Sequence, residues 1–344
     1  MPDASSFWRA VLLGGAVGDA LGAPIEFHSL ADIRRVYGPE GITGLVLHHD
    51  GRLGAITDDT QMALFTAEAV IGARRRLGGY GIANFQAALF YSYLRWLATQ
   101  GLAATLPPGD RPLQKRGLLW DTPDLHHVRA PGNTCVGALS SGRYGTREDR
   151  INNSKGCGGV MRAAPGGAFD AGVAIGAVTH GHPTGWLASG ALAGIIGVLH
   201  NGGTLDEGLD EVQARLRKEE HGGETSTALD KARHLATRSH EDEALVLEQI
   251  GGGWIAEEAL AMGVYAALRA EGDVRAGLLL SVNHSGDSDS TGSIAGNLLG
   301  AMHGEASLPA DWVGELEARE VIEQVGTDLG RNPGETSDET YPYM

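Results

Sequence analysis

Thr57-Asp58-Asp59-Thr60-Gln61-Met62-Ala63-Leu64-Phe65-Thr66-Ala67-Glu68-Ala69 sets the reading of the fold. Met62, Phe65 and Ala69 stand at i, i+3 and i+7, the spacing of one buried stripe on a helix. Thr57 suits the N-cap position, and acids in the turn that follows suit the helix dipole. The pattern predicts a helix over 57–76. Outward from it, helical patterns recur over 5–22, 83–99, 184–200, 254–270 and 289–302. In the first of these, Gly14, Gly18 and Gly22 form a smooth stripe. Such a stripe in a bilayer marks a dimerisation face, but the flanking Arg9 and Asp19 point to a tightly packed helix of a soluble protein. The Ala- and Gly-rich run 184–200 reads as central. No alternating series of strands and no fixed repeat is present, although a short strand or two is expected near 42–48.

Between the helices, 101–112 carries Pro107-Pro108-Gly109-Asp110 and reads as a surface connection. Residues 129–167 are rich in Gly, Asn and Ser with few helix signals, and 203–249 reads as a solvated helical excursion. No linker divides the chain, so one domain is expected over 5–326, followed by a poorly ordered tail over 327–344. With 344 residues, 42% of them hydrophobic, a sizeable core is available, and 20% charged residues exclude a disordered or coiled-coil composition. The 43 acids against 27 Lys and Arg leave a net charge of −16, the opposite of a nucleic-acid binder's footprint. Cys135 and Cys157 make neither a disulfide framework nor a zinc cluster, and fit a cytoplasmic setting. Met1-Pro2-Asp3 opens without a basic signal region, and no apolar run reaches the ~18 residues of a membrane span.

Five segments carry chemistry-bearing residues. Thr57-Asp58-Asp59-Thr60 and Asp287-Ser288-Asp289-Ser290-Thr291 each pair two acids with a hydroxyl at a helix start. Taken singly, each reads as a capped helix. A calcium EF-hand is excluded for the second, because its twelfth position is Leu298 where Glu is needed. Taken together, four carboxylates in one pocket would repel unless cations sat between them, and Mg²⁺ or Mn²⁺ suits carboxylate, hydroxyl and water donors. Glu26, between Ile25 and Phe27 after a helix end, is a partly desolvated acid suited to proton transfer, or an ordinary turn acid. The Gly-rich run Asn153-Ser154-Lys155-Gly156-Cys157-Gly158-Gly159-Val160-Met161-Arg162 brings amides within reach of phosphate oxygens, yet is neither a Walker A loop nor a dinucleotide fingerprint. His180 and His182 in Thr179-His180-Gly181-His182-Pro183-Thr184-Gly185-Trp186 lack partners at zinc spacing and read as hydrogen-bonding loop residues.

These five segments, in this order, resemble the ADP-ribosylglycohydrolase family, which includes dinitrogenase-reductase-activating glycohydrolases and vertebrate ADP-ribosyl-arginine and ADP-ribosyl-serine hydrolases. The resemblance runs over about 8–304. It implies an all-α, single-domain orthogonal helical bundle with a binuclear Mg²⁺ site, in some members Mn²⁺. It implies that Thr57, Asp58, Asp59, Asp287, Asp289 and Ser290 are metal ligands and that Glu26, Asp58 and Asp59 share the acid–base work. It places Gly132, Thr134, Asn153, Ser154, Lys155, Gly156, Gly158 and His180 against ADP-ribose. Lys155 departs from the family, where an aromatic or small residue is common.

The reaction implied is hydrolysis at the anomeric carbon of the distal ribose, through an oxocarbenium-like state. The His-Pro-Thr-Gly-Trp stretch at 182–186 and Ser290 are nearer the arginine-specific branch, so ADP-ribosyl-arginine in proteins is the expected substrate and ADP-ribose the product. ADP-ribosyl-serine, O-acetyl-ADP-ribose and a non-catalytic ADP-ribose-binding role stand as alternatives.

Overall fold

The structure is a computed structural model that describes residues 3–81 and 83–343. Among the described residues, fifteen α-helices form one domain: α1 (Ala4–Gly22), α2 (Leu30–Tyr37), α3 (Asp58–Tyr80), α4 (Phe85–Thr99), α5 (Asn133–Ser140), α6 (Phe169–Ala177), α7 (Pro183–His200), α8 (Leu205–Leu216), α9 (Gly223–Ala236), α10 (Glu243–Ile250), α11 (Ala256–Arg269), α12 (Val274–Val282), α13 (Ser288–His303), α14 (Ala310–Glu315) and α15 (Arg319–Gly330). Short 3₁₀ turns link several of them. Among the described residues there is no strand, only an isolated bridge between Gly156 and Ile255. No helix is long and apolar enough to cross a membrane among the described residues.

Two glycine stripes build the centre. Gly14, Gly18 and Gly22 of α1 face Gly296, Gly292 and Ser288 of α13, so the helices run antiparallel. A Cβ on Gly18 would lie 1.9 Å from the Gly292 carbonyl oxygen, and one on Gly14 2.2 Å from that of Gly296. Backbone therefore packs on backbone, closer than any side chain permits. The consequence for the site is geometric: the C-terminal end of α1 comes to lie beside the N-terminus of α13. Helix α3 crosses nearby, its apolar length buried from Met62 to Ala73 and its first turn aimed at the same point.

The strand expected near 42–48 does not form. Asn283 explains the extended chain there: its side chain accepts from the Ile42 amide (2.9 Å) and donates to the Ile42 carbonyl (3.0 Å). One amide side chain thus replaces a partner strand. Residues 327–343 also pack against the helices. Residues 327–330 finish α15, and Tyr341 is buried with its hydroxyl donating to Asp328 (2.6 Å). Arg75 of α3 holds the Asp338 carboxylate and the Ser337 and Tyr341 carbonyls, so an aromatic anchor and an arginine clamp outweigh the Gly and Pro content.

Candidate active site

A cavity of about 390 Å³ opens where α1, α3 and α13 converge. Its wall brings together Glu26, Asp58, Asp59, Asp287, Asp289 and Ser290, which are separated by most of the chain. The opposite side consists of Gly132, Thr134, Gly156, Cys157, Gly158 and His180. A roomier cavity of about 610 Å³ lies between α3, α4 and the C-terminal residues, but it gathers no cluster of acids, and its Glu68 and Arg95 are paired with each other.

Asp58 and Asp59 open α3 and Asp287 caps α13, so helix starts aim both acid pairs inward. Asp58, Asp59, Asp287 and Asp289 are all buried, and Glu26 is half-buried. Oxygens of Glu26, Asp287 and Asp289 lie within 4.8 Å of one another. Burial, then the charges of Asp287, Asp58 and Asp19, pushes Glu26 up to about 8. Burial likewise raises Asp58 to about 7, against the pull of the Gly132 amide, which donates to its Oδ2 (3.1 Å). Asp59 and Asp289 are held well above the usual carboxylate range, by burial first and then by their acidic neighbours. Asp59 Oδ2 is buried without a hydrogen-bond partner. A crowded set of hard oxygen donors, one of them orphaned, fits divalent cations rather than a network closed on itself.

Three residues that sequence reasoning passed over prove central. Asp19, fully buried on α1, accepts from the Thr57 amide (2.9 Å) and hydroxyl (2.8 Å), the Thr60 amide (3.2 Å) and the Thr60 hydroxyl (2.5 Å). It therefore fixes the first turn of α3, and burial raises it to about 6. The available signal was a lone acid inside an otherwise apolar helix. Thr57 lies outside the cavity wall; its hydroxyl donates to Asp19 and accepts from the Asp59 amide (3.2 Å), leaving one lone pair free. Cys157 donates its thiol proton to Asp287 Oδ2 (2.8 Å), and burial pushes that thiol well above its ordinary range. Arg162 is fully buried beneath the cavity, bonded to Thr179 Oγ1 (2.6 Å) and stacked 4.4 Å over the Tyr93 ring.

On the glycine side, His180 Nδ1 pairs with Thr179 Oγ1 (2.8 Å), and Nε2 faces Gly156 and Gly158. Burial and the Arg162 charge hold this imidazole neutral, down to about 3. A Cβ at Gly156 would stand 3.5 Å from Nε2, and one at Gly158 would stand 3.3 Å from Cε1 and 3.0 Å from Cys135 Sγ. The two glycines keep the floor open. Thr134 and Ser154 share a hydroxyl contact of 3.0 Å at its edge. Asn153 and Lys155 are not brought in. Asn153 is exposed, and the Lys155 ammonium is taken by Glu224 of α9 and Glu257 of α11, which anchors the loop from behind.

The whole chain matches the ADP-ribosylglycohydrolase family over residues 2–339. The chain belongs to that family. It is 25% identical to the ADP-ribosyl-[dinitrogen reductase] glycohydrolase of Rhodospirillum rubrum, covering 91% of this chain and 92% of that one. It is 24% identical to ADP-ribosylarginine hydrolase Tri1 of Pseudomonas putida, over 93% of this chain and 77% of that protein. A protein of Archaeoglobus fulgidus with no assigned activity is 27% identical over 94% of this chain. An ADP-ribosylglycohydrolase-related protein complex has a chain of the same fold, with a TM-score of 0.62 at 21% identity over 97% of this chain and all of that one. As a family member, this ADP-ribosylglycohydrolase is a hydrolase of ADP-ribose conjugates.

Proposed function

We propose that this ADP-ribosylglycohydrolase cleaves the N-glycosidic bond between ADP-ribose and an arginine side chain of a protein, in the cytoplasm. The carrying observation is the convergence of five carboxylates, from the turn after α1 and from the starts of α3 and α13, across one cavity from a glycine floor. Thr57, Asp58, Asp59, Asp287, Asp289 and Ser290 would hold two Mg²⁺ or Mn²⁺ ions. Bound cations would supply Lewis acidity toward the ribose hydroxyls and water.

The chain's own residues do the rest. Glu26 is the most exposed acid of the set, so it is the one best able to exchange a proton with solvent and to move one at the scissile bond. Asp58 and Asp59 share that work, with Asp58 fixed by the Gly132 amide. Gly156 and Gly158 offer backbone to the diphosphate, and Thr134, Ser154 and His180 offer polar atoms beside it, which orients the ribose. Arginine is favoured as acceptor because a guanidinium carries charge opposite to the crowded carboxylates, which a serine does not. Ser290 and the 182–186 stretch support the same branch.

The test uses Mg²⁺-loaded protein and peptides ADP-ribosylated separately on Arg, Ser and Glu, together with O-acetyl-ADP-ribose, and measures released ADP-ribose. Release from the Arg peptide at the highest kcat/KM is expected. Equal or faster release from another conjugate removes the arginine assignment and leaves the family activity standing. No release from any conjugate, with ADP-ribose still bound, removes the catalytic reading.

A further inference from the structure

Two aromatic side chains stand open to water in the wall of the same cavity. Phe27 is 74% exposed and Trp254 45%. Their rings are nearly parallel, 19° apart in plane with centroids separated by 5.7 Å. They come from distant segments, the turn after α1 and the loop before α11, and both line the acidic cavity. Exposed aromatic area is unfavourable in water, and two neighbouring rings left open beside a cavity offer a ligand a surface to cover. Packing gives neither ring more than partial cover.

Their positions are fixed by their neighbours. Phe27 directly follows Glu26, whose carboxylate lies within 4.8 Å of the Asp287 and Asp289 oxygens. The Trp254 carbonyl accepts from the Cys157 amide (3.2 Å), and Ile255 next to it bridges to Gly156. The aromatic faces therefore border the acid cluster, where bond cleavage is proposed. A flat group that is cationic, weakly hydrated and rich in edge donors matches this combination of ring faces and carboxylates, and a guanidinium is that group. A neutral purine would also stack, but the adjoining acids contribute nothing to it.

We infer that Phe27 and Trp254 form the acceptor subsite, where the guanidinium of the modified arginine stacks on the ring faces while Glu26 accepts from its edge. Resting on the arginine reading above, the inference assigns specificity to two residues that take no part in proton transfer. Phe27→Leu and Trp254→Leu keep apolar bulk and remove the π face, and Trp254→Phe keeps a π face.

The experiment measures, on Mg²⁺-loaded protein, the Kd of agmatine and of ADP-ribose by calorimetry, and KM and kcat on an ADP-ribosyl-arginine peptide. Each Leu variant should raise the agmatine Kd and the KM by about tenfold. The Trp254→Phe variant should stay near wild type, and kcat and the ADP-ribose Kd should hold in all three. Weakened ADP-ribose binding with unchanged agmatine binding would overturn the inference in favour of an adenine shelf. Unchanged binding of both would overturn it as an inert rim. Failure of the arginine reading shows separately, as wild-type release from the Ser peptide alone, while agmatine binding still decides whether the rings take a guanidinium.

Discussion

Replacing Asp59 by Asn separates a cation-holding acid from a helix-starting one. Asp59 is buried, one of its oxygens has no partner, and its carboxyl is held well above the usual range by burial and by Asp58, Asp19 and Asp287. In chelator, a folded-state pKa above the unfolded value means the folded chain binds more protons. Stability is then full below the unfolded pKa near 3.8 and is lost as pH rises through the folded values, about 6 for Asp19, 7 for Asp58 and 8 for Glu26. Each proton so retained costs about 1.4 kcal/mol per pH unit. Helix-dipole stabilisation of an acid in the first turn is about 0.3–1 kcal/mol and up to about 2 when buried, so the desolvation effect exceeds it once pH stands about two units above the unfolded pKa. For a chain of 344 residues the unfolding entropy makes 1 kcal/mol about 1.4 °C in Tm. The Asp59→Asn variant in chelator should therefore melt above wild type by a margin that grows about 2 °C per pH unit from pH 6 to 8. In saturating Mg²⁺ the order should reverse, because only wild type gains full binding energy. Melting curves in EDTA and in Mg²⁺ at pH 6, 7 and 8 supply the data. A variant that melts below wild type in EDTA, with no dependence on pH, would refute the reasoning and return Asp59 to helix capping.

Asp19→Asn places an amide NH₂ against four donors, so it should lower stability by about 2–4 kcal/mol and Mn²⁺ affinity about 10–100-fold, read by melting and calorimetry. Gly18→Ala puts a methyl 1.9 Å from the Gly292 carbonyl oxygen and should cost about 1–3 kcal/mol or prevent folding, whereas Gly79→Ala, with open space around it, should gain about 0.5–1 kcal/mol. Lys155→Ala leaves Glu224 and Glu257 facing each other; it should lower Tm and leave the ADP-ribose Kd within about threefold, since the ammonium lies away from the cavity.

Six of the helices were legible because their apolar residues repeat with a helical period; α1, α3, α4, α7, α11 and α13 end within a few residues of the ranges read from the sequence. Short helices such as α2, α6 and α12 carry too few turns for the period to stand out. The paired acids were legible as motifs, since adjacency is a property of the chain. Their meeting was not, because it depends on the glycine stripes of α1 and α13 interlocking, and only the α1 stripe was read. Arg162 acts through partners distant in sequence, so nothing local marks it, and Asp19 shows only as a lone acid in an apolar helix whose partners Thr57 and Thr60 lie far along the chain. Lys155 shows the converse: a cation in a glycine loop suggests phosphate, yet two carboxylates on α9 and α11 lie closer to hand.

We propose that Thr57, Asp58, Asp59, Asp287, Asp289 and Ser290 hold one metal centre at the cavity where ADP-ribose would be released from its acceptor. Anomalous diffraction from crystals soaked in Mn²⁺ tests it most directly. The account predicts two manganese peaks inside the cavity, flanked by the Asp58–Asp59 and Asp287–Asp289 carboxylates and lost in the Asp289→Ala variant. Manganese bound only elsewhere on the acidic surface, with the cavity carboxylates bonded solely to protein and water, would contradict it.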